Sequence, residues 1–144
     1  MRILRGAYKW WVSLIFVAFL VQVAFAGYGA FSTADDVDGS TVNEDRFEDN
    51  FGPHAALGNL LVLATLLLLL LALAGRVGKR RTLQSLGLFA LMIVQLLLAW
   101  FGASVPFLLG ALHPLNALLL IGLSGYIARE SWIEPAGELT RATA

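Results

Sequence analysis

Hydrophobic and polar positions along the chain are separated into long blocks. No Asp, Glu, Lys or Arg occurs in residues 10–34, 50–75 or 82–128. Each block exceeds the roughly 20 apolar residues that span a bilayer as a helix. The third block is twice that length, and the sequence Gly-Ala-Ser-Val-Pro at 102–106 is typical of a turn within it. The pattern therefore predicts an all-α membrane protein, an integral four-helix bundle.

The predicted spans cover residues 8–30, 53–75, 83–102 and 107–128 of one domain, residues 1–130, followed by a polar tail at 131–144. Asn50 and Pro53 are residue types favoured at a helix N-cap and first turn, so they mark the expected start of the second span. Residues 31–52 are predicted to be a loop, with seven acidic side chains against Arg46 alone. We interpret this loop as solvated surface, with cation binding as the alternative.

Basic residues predict the orientation of the bundle. Arg2, Arg5 and Lys9 flank the first span, and four more bases lie in the turn at 76–81 between the second and third spans. Both ends of the chain are therefore expected on the cytoplasmic side of the plasma membrane, and the acidic loop outside. The small residues at 24–27 would also suit cleavage of a signal peptide, but the apolar stretch is long for one, so we expect a retained helix.

Composition excludes several functions. Ten basic and ten acidic residues leave a formal net charge of zero, so no overall positive field favours nucleic acid. The absence of Cys excludes disulfides, thiolate zinc sites, iron–sulfur clusters and Cys nucleophiles. The partner expected from composition is the lipid bilayer, because 58% of the residues are hydrophobic.

Polar residues inside the spans are the candidates for function, because they are costly in hydrocarbon. His54 begins the second span and His113 lies near the start of the fourth, so both belong to the outer leaflet. Gly58, one turn after His54, leaves space beside the imidazole for a flat group. Gln22 and Gln95 lie at a similar depth, roughly 20 Å from their cytoplasmic ends. Asn116 belongs to a stripe of small and polar residues on the fourth span that should face other helices.

Two neutral imidazoles on different helices suit the axial positions of a haem iron, whereas zinc usually takes three or four ligands. We therefore predict a b-type haem with His54 and His113 as the metal ligands and with Gly58, Asn116, Gln22 and Gln95 around it. The alternative is that the histidines only pack and that the glutamines hold helices together. No carboxylate or Lys accompanies the imidazoles in the spans, so a conventional acid–base or nucleophilic site lacks its parts.

The segments 53–59, Pro-His-Ala-Ala-Leu-Gly-Asn, and 112–117, Leu-His-Pro-Leu-Asn-Ala, carry a family resemblance. The chain resembles one four-helix half of the haem A synthase family, whose halves carry a His on the second and fourth helices at the outer face. Half-length archaeal relatives that work as dimers, and small haloarchaeal and actinobacterial four-helix proteins of unassigned function, are similar too. Phe51 and Ala55 stand where catalytic halves have Glu and Arg, a difference that leaves the two histidines unaffected.

Three functions follow as expectations. The first is a haem-binding membrane protein for electron transfer or haem handling, with a respiratory membrane partner. The second is a compact haem A synthase-like oxidoreductase that works as a homodimer, which the resemblance implies. The third is a membrane accessory protein without haem, in which the histidines have a structural role only.

Overall fold

Four long helices make up the computed structural model, which describes residues 2–36, 44–102 and 107–133. They are α1 (Arg2–Asp35), α2 (Glu44–Gly75), α3 (Lys79–Gly102) and α4 (Phe107–Ile133). Each contains a segment long and apolar enough to cross a membrane. The predicted all-α fold with four spans is therefore confirmed, and the chain is a multi-pass membrane protein.

The helices form a bundle in which each packs against two neighbours. Helix α1 contacts α2 and α4, and α3 contacts the same two, so α2 and α4 face each other across the bundle diagonal. Apolar side chains meet along the bundle axis, while others on the outer helix faces are exposed, as lipid contact requires. The buried set includes Tyr8, Val12, Ile15, Leu61, Leu68, Leu88, Leu120 and Ile127.

The connection between α1 and α2 is shorter than predicted. The interpretation of 31–35 and 44–52 as loop is wrong, because α1 continues to Asp35 and α2 begins at Glu44. Asn50 and Pro53 therefore lie inside α2 rather than at its start. The two helices extend beyond the apolar blocks and contact each other at the block ends: Asn50 Nδ2 donates to Thr33 Oγ1 (3.3 Å) and to Asp36 Oδ2 (3.0 Å). The middle of the predicted loop, 37–43, lies outside the described residues.

Asp36 completes this contact at the end of α1. Its carboxylate also accepts a hydrogen bond from Arg46 Nη1 at 2.7 Å. The Asn50 amide, and then the Arg46 charge, lower the pKa of Asp36 below its ordinary value. The contact is therefore present at neutral pH and is lost as the pH falls through that lowered pKa, although solvent exposure keeps its contribution small.

The opposite end of the bundle gathers the basic residues. Helix α2 ends in a Schellman motif, in which Val77 N–H donates to Ala72 O and Arg76 adopts φ 49°. Arg5 Nε donates to Gly75 O at 3.2 Å, which places a cation at the negative end of α2. Arg80 pairs with Glu130 between α3 and α4. The basic side chains around the first span and the 76–81 turn thus share one end of the structure.

This basic end should face the cytoplasm, because the positive-inside rule applies to short loops of this kind. We expect an epitope tag at Met1 to be protected from protease added outside intact cells, and a tag inserted at Gly39 to be cleaved. Permeabilised cells, in which both tags should be cleaved, provide the control. Cleavage of the Met1 tag in intact cells would show that the orientation is the opposite of the one predicted.

Candidate functional site

The structure brings the two histidines together across the bundle diagonal. The ring centres of His54 and His113 are 6.3 Å apart, and the ring planes are inclined by 56°. His54 lies on the third turn of α2 and His113 on the second turn of α4. Both helices enter the membrane from the same end of the bundle, and the short distance between the rings places them at a similar depth.

His54 is held by helix α1. Its Nδ1 lies 3.2 Å from the backbone oxygen of Gln22, and since a carbonyl only accepts, Nδ1 carries the proton. Gln22 Nε2 in turn donates to the backbone oxygen of His54 at 2.7 Å. The ring of Phe51 also meets the imidazole edge to face, with centres 6.1 Å apart. This tautomer leaves Nε2 of His54 with a free lone pair, the state in which imidazoles bind metals.

His113 is half-buried and is held less firmly. Its Nδ1 is buried and has no hydrogen-bond partner among the described residues. The neighbouring α3 backbone at Gln95 faces the ring without forming a hydrogen bond of normal geometry. The two imidazoles therefore differ in their support, although they share one site.

Gln95 and Asn116 form a polar pair between α3 and α4. Asn116 Nδ2 donates to Gln95 Oε1 at 2.7 Å and to Leu91 O at 2.9 Å, and both side chains are buried. Because its oxygen is fixed by Asn116, the Gln95 amide has a set orientation, and its N–H groups have no partner in the described part of the chain. Asn116 thus acts on the site through Gln95 rather than by lining it, which sequence spacing alone did not reveal.

A cavity of about 490 Å³ surrounds the histidines. All four helices contribute to its lining, which holds Gln22, Gly58 and Gln95 together with both rings and is otherwise mostly apolar. No charged side chain occurs among the described lining residues. The exposed side chains of Trp100 and Leu118 also belong to the lining, so the cavity reaches the lipid-facing surface. Further lining residues are Phe19, Val23, Met92, Leu96, Leu115 and Ile121.

Gly58 has two roles in this geometry. It lines the cavity, as predicted, and it also lies against α1, because a Cβ there would stand 3.2 Å from Gln22 Nε2. The bare glycine therefore lets the Gln22 amide approach the His54 carbonyl. Gln22 also carries a buried Oε1 that has no partner within the described residues. Buried polar atoms of this kind normally have a partner, such as a ligand or water.

Phe51 and Gly29 belong to the site but were missed from the sequence, where Phe51 was noted only as a departure from a family pattern. Phe51 fills the space beside Gly29, where an added Cβ would stand 2.9 Å from the ring. The ring can contact His54 only because Gly29 leaves this space free. The pairing depends on the relative rotation of α1 and α2, which no sequence period encodes.

Gly29→Ala should therefore destabilise the protein by about 1–3 kcal/mol, the usual cost of overpacking. Gly27→Ala is the matched control on the same helix, since a Cβ there meets nothing within 4 Å. That control should be neutral or stabilising by up to about 1 kcal/mol, the helix propensity gain of Ala over Gly. Thermal unfolding in detergent measures both, and equal melting temperatures would show that Phe51 is not fixed by Gly29.

The separation of the two ring centres can be compared with the separations that two metal geometries require. With metal–nitrogen bonds of about 2.0–2.1 Å and a further ~1.1 Å to each ring centre, a metal on the line between two imidazoles would put their centres about 6.2–6.4 Å apart. A tetrahedral angle would bring them to about 5 Å. The observed 6.3 Å fits the first arrangement. In residues 2–36, 44–102 and 107–133, no three His, Cys, Asp or Glu side chains converge on a metal position.

The fold and this site define a class: a small multi-pass membrane protein with a pair of histidines facing each other in an apolar cavity. The chain belongs to a family of unknown function, DUF6220, whose match covers residues 22–104. That segment includes Gln22, His54, Gly58 and Gln95 but ends before His113. No curated protein matches the chain. No solved structure matches it either.

Proposed function

We propose that the protein binds a b-type haem between His54 and His113 and serves in electron transfer or haem handling within the membrane. The observation that carries this proposal is the pair of imidazoles 6.3 Å apart, one of which has its Nε2 left free by the Gln22 hydrogen bond. Axial ligation by two imidazoles is a common way to hold haem iron in a helical bundle.

The residues present fit such a group. The cavity volume of about 490 Å³ lies within the range of cofactor sites, and its lining is mostly apolar, as a porphyrin face requires. Gln22 Oε1 and His113 Nδ1 are buried polar atoms without partners among the described residues, and such atoms normally have a partner, such as a ligand or water. When bound, haem supplies one-electron redox chemistry; His54 and His113 hold it, and the apolar lining keeps water from it.

A haem A synthase-like oxidoreductase acting as a homodimer is the enzyme alternative. The position three residues before His54 holds Phe51, which packs on the imidazole, so no carboxylate occupies the place of the acid found in catalytic halves. Nothing among the described lining residues replaces it, because the lining contains no acid. We therefore favour haem binding without oxygenating activity, in the plasma membrane beside a respiratory partner.

The visible spectrum of the protein, purified in mild detergent from membranes and supplied with haem, tests the proposal. We expect a low-spin, six-coordinate b-type spectrum with sharp bands after reduction, since two strong-field imidazoles complete the coordination. A protein that stays colourless after reconstitution would contradict haem binding. The histidines would then be packing residues of an accessory protein.

A further inference from the structure

The two imidazoles of the site are supported unequally. His54 donates from Nδ1 to the Gln22 carbonyl, its own carbonyl accepts from the Gln22 side chain, and Phe51 packs on its ring. The support of His113 is weaker: the Gln95 backbone faces its ring, but its Nδ1 makes no hydrogen bond of normal geometry to any described residue. A hydrogen bond from the second nitrogen of a ligating imidazole fixes its orientation and raises its basicity, so its absence weakens a ligand.

The two imidazole rings also differ in the contacts that each would lose on turning away from its position. Turning the His54 ring away would break its bond to α1 and displace it from Phe51. Turning the His113 ring would break no hydrogen bond of normal geometry among the described residues, only its approach to the Gln95 backbone. Both rings are half-buried, so their burial does not distinguish them, and the difference lies in their hydrogen bonds. His113 can therefore leave its place at lower cost than His54.

Gln95 offers a hydrogen-bond donor in the cavity that His113 lines. Gln95 lines the cavity on α3, its backbone faces His113, and its side-chain oxygen is fixed by Asn116. Its amide N–H groups are without a partner among the described residues and so can donate to a small ligand with lone pairs. A fixed donor in an apolar cavity is worth more than one in water.

We propose that His54 is the permanent ligand, that His113 is exchangeable, and that its position beside Gln95 is a binding site for a small exogenous ligand such as a diatomic molecule or a linear anion. This inference rests on the proposed haem binding. Exchange breaks one bond, from the metal to His113 Nε2, and forms one, from the metal to the incoming ligand, with no net electron transfer. The proposed haem site would then also accept a small ligand at the position of His113.

The unequal support of the two histidines is tested by haem retention. The variants His113→Ala and His54→Ala are each purified as the full chain in detergent. We expect His113→Ala to keep haem within about tenfold of the wild-type affinity, in a five-coordinate high-spin state that added imidazole returns to low spin. His54→Ala should lose affinity by at least a further tenfold, and imidazole should not restore it. His54→Gln and His113→Gln, with helical circular dichroism, check that loss of haem is not loss of fold.

Carbon monoxide on the reduced protein and azide on the oxidised protein probe the exchangeable position. We expect both to displace His113 in the wild type and to bind His113→Ala faster. Gln95→Leu should lower the affinity for azide by roughly two- to tenfold, which corresponds to the loss of one hydrogen bond. The affinity for carbon monoxide should change less. Equal haem loss in the two histidine variants, or stronger loss in His113→Ala, would overturn the inference while the proposed function stands. A wild type that takes up no haem would overturn both.

Discussion

Replacing either His54 or His113 with Ala should abolish the six-coordinate low-spin spectrum while leaving a folded, membrane-inserted protein. Axial ligation sets the spin state directly, so one missing imidazole is sufficient. Neither ring belongs to the buried apolar core, where residues such as Val12, Leu68 and Ile127 hold the helices together. The expected change in the spectrum is therefore complete, whereas the expected change in stability is small.

Absorption spectra of the two variants, recorded next to their thermal unfolding curves, provide the measurement. Gln95→Leu is expected to keep the low-spin spectrum, because an amide beside the site can tune the redox potential but is not an axial ligand. Survival of the low-spin spectrum in His113→Ala and in His54→Ala would show that the ligands lie elsewhere in the chain.

Gly58→Leu should reduce haem affinity about tenfold or more. The added side chain would stand against Gln22 Nε2, where even a Cβ is at 3.2 Å, and would project into the cavity that Gly58 lines. It would also push apart the Gln22 and His54 contacts that fix the ligand tautomer. Steric insertion of this kind typically costs about 1–3 kcal/mol, and each 1.4 kcal/mol is a factor of about ten in affinity.

Gly52→Leu is the matched control for this prediction. It lies on the same helix near the site, but a Cβ there meets nothing within 4 Å. Haem titrations of both variants should therefore show a loss for Gly58→Leu and near wild-type affinity for Gly52→Leu. Equal affinities would mean that the ligand does not use the space beside Gly58.

The four spans could be predicted from the sequence because the hydrocarbon thickness of a membrane imposes a length on uncharged blocks. The ends of the helices could not be predicted, because the membrane thickness does not limit helix length outside the hydrocarbon. Asn50 shows this: it is a residue type favoured at N-caps, yet α2 begins at Glu44, and the Asn50 amide instead joins α2 to Thr33 of α1 and to Asp36, which follows α1. The helical extensions stabilise each other by contacts that are distant in sequence.

Much of the candidate site could also be located from the sequence. Helix rise predicts that His54, His113, Gln22 and Gln95 lie in the outer half of the membrane, and all four line one cavity. The different hydrogen bonding of His54 and His113 could not be predicted. The hydrogen bond from His54 to the Gln22 carbonyl depends on a backbone atom and on the rotation of α1 relative to α2. The hydrogen bond from Asn116 to Gln95 could not be predicted either, because the two residues lie on different helices and are 21 residues apart in the chain.

A titration of the purified chain with haem tests the central claim most directly. The wild type should bind one haem per chain with a low-spin spectrum, because one pair of imidazoles at 6.3 Å forms one site. The double variant His54→Ala/His113→Ala, shown to be helical and monodisperse in the same detergent, should bind none with that spectrum. Equal stoichiometry and equal spectra for the wild type and the double variant would contradict the account.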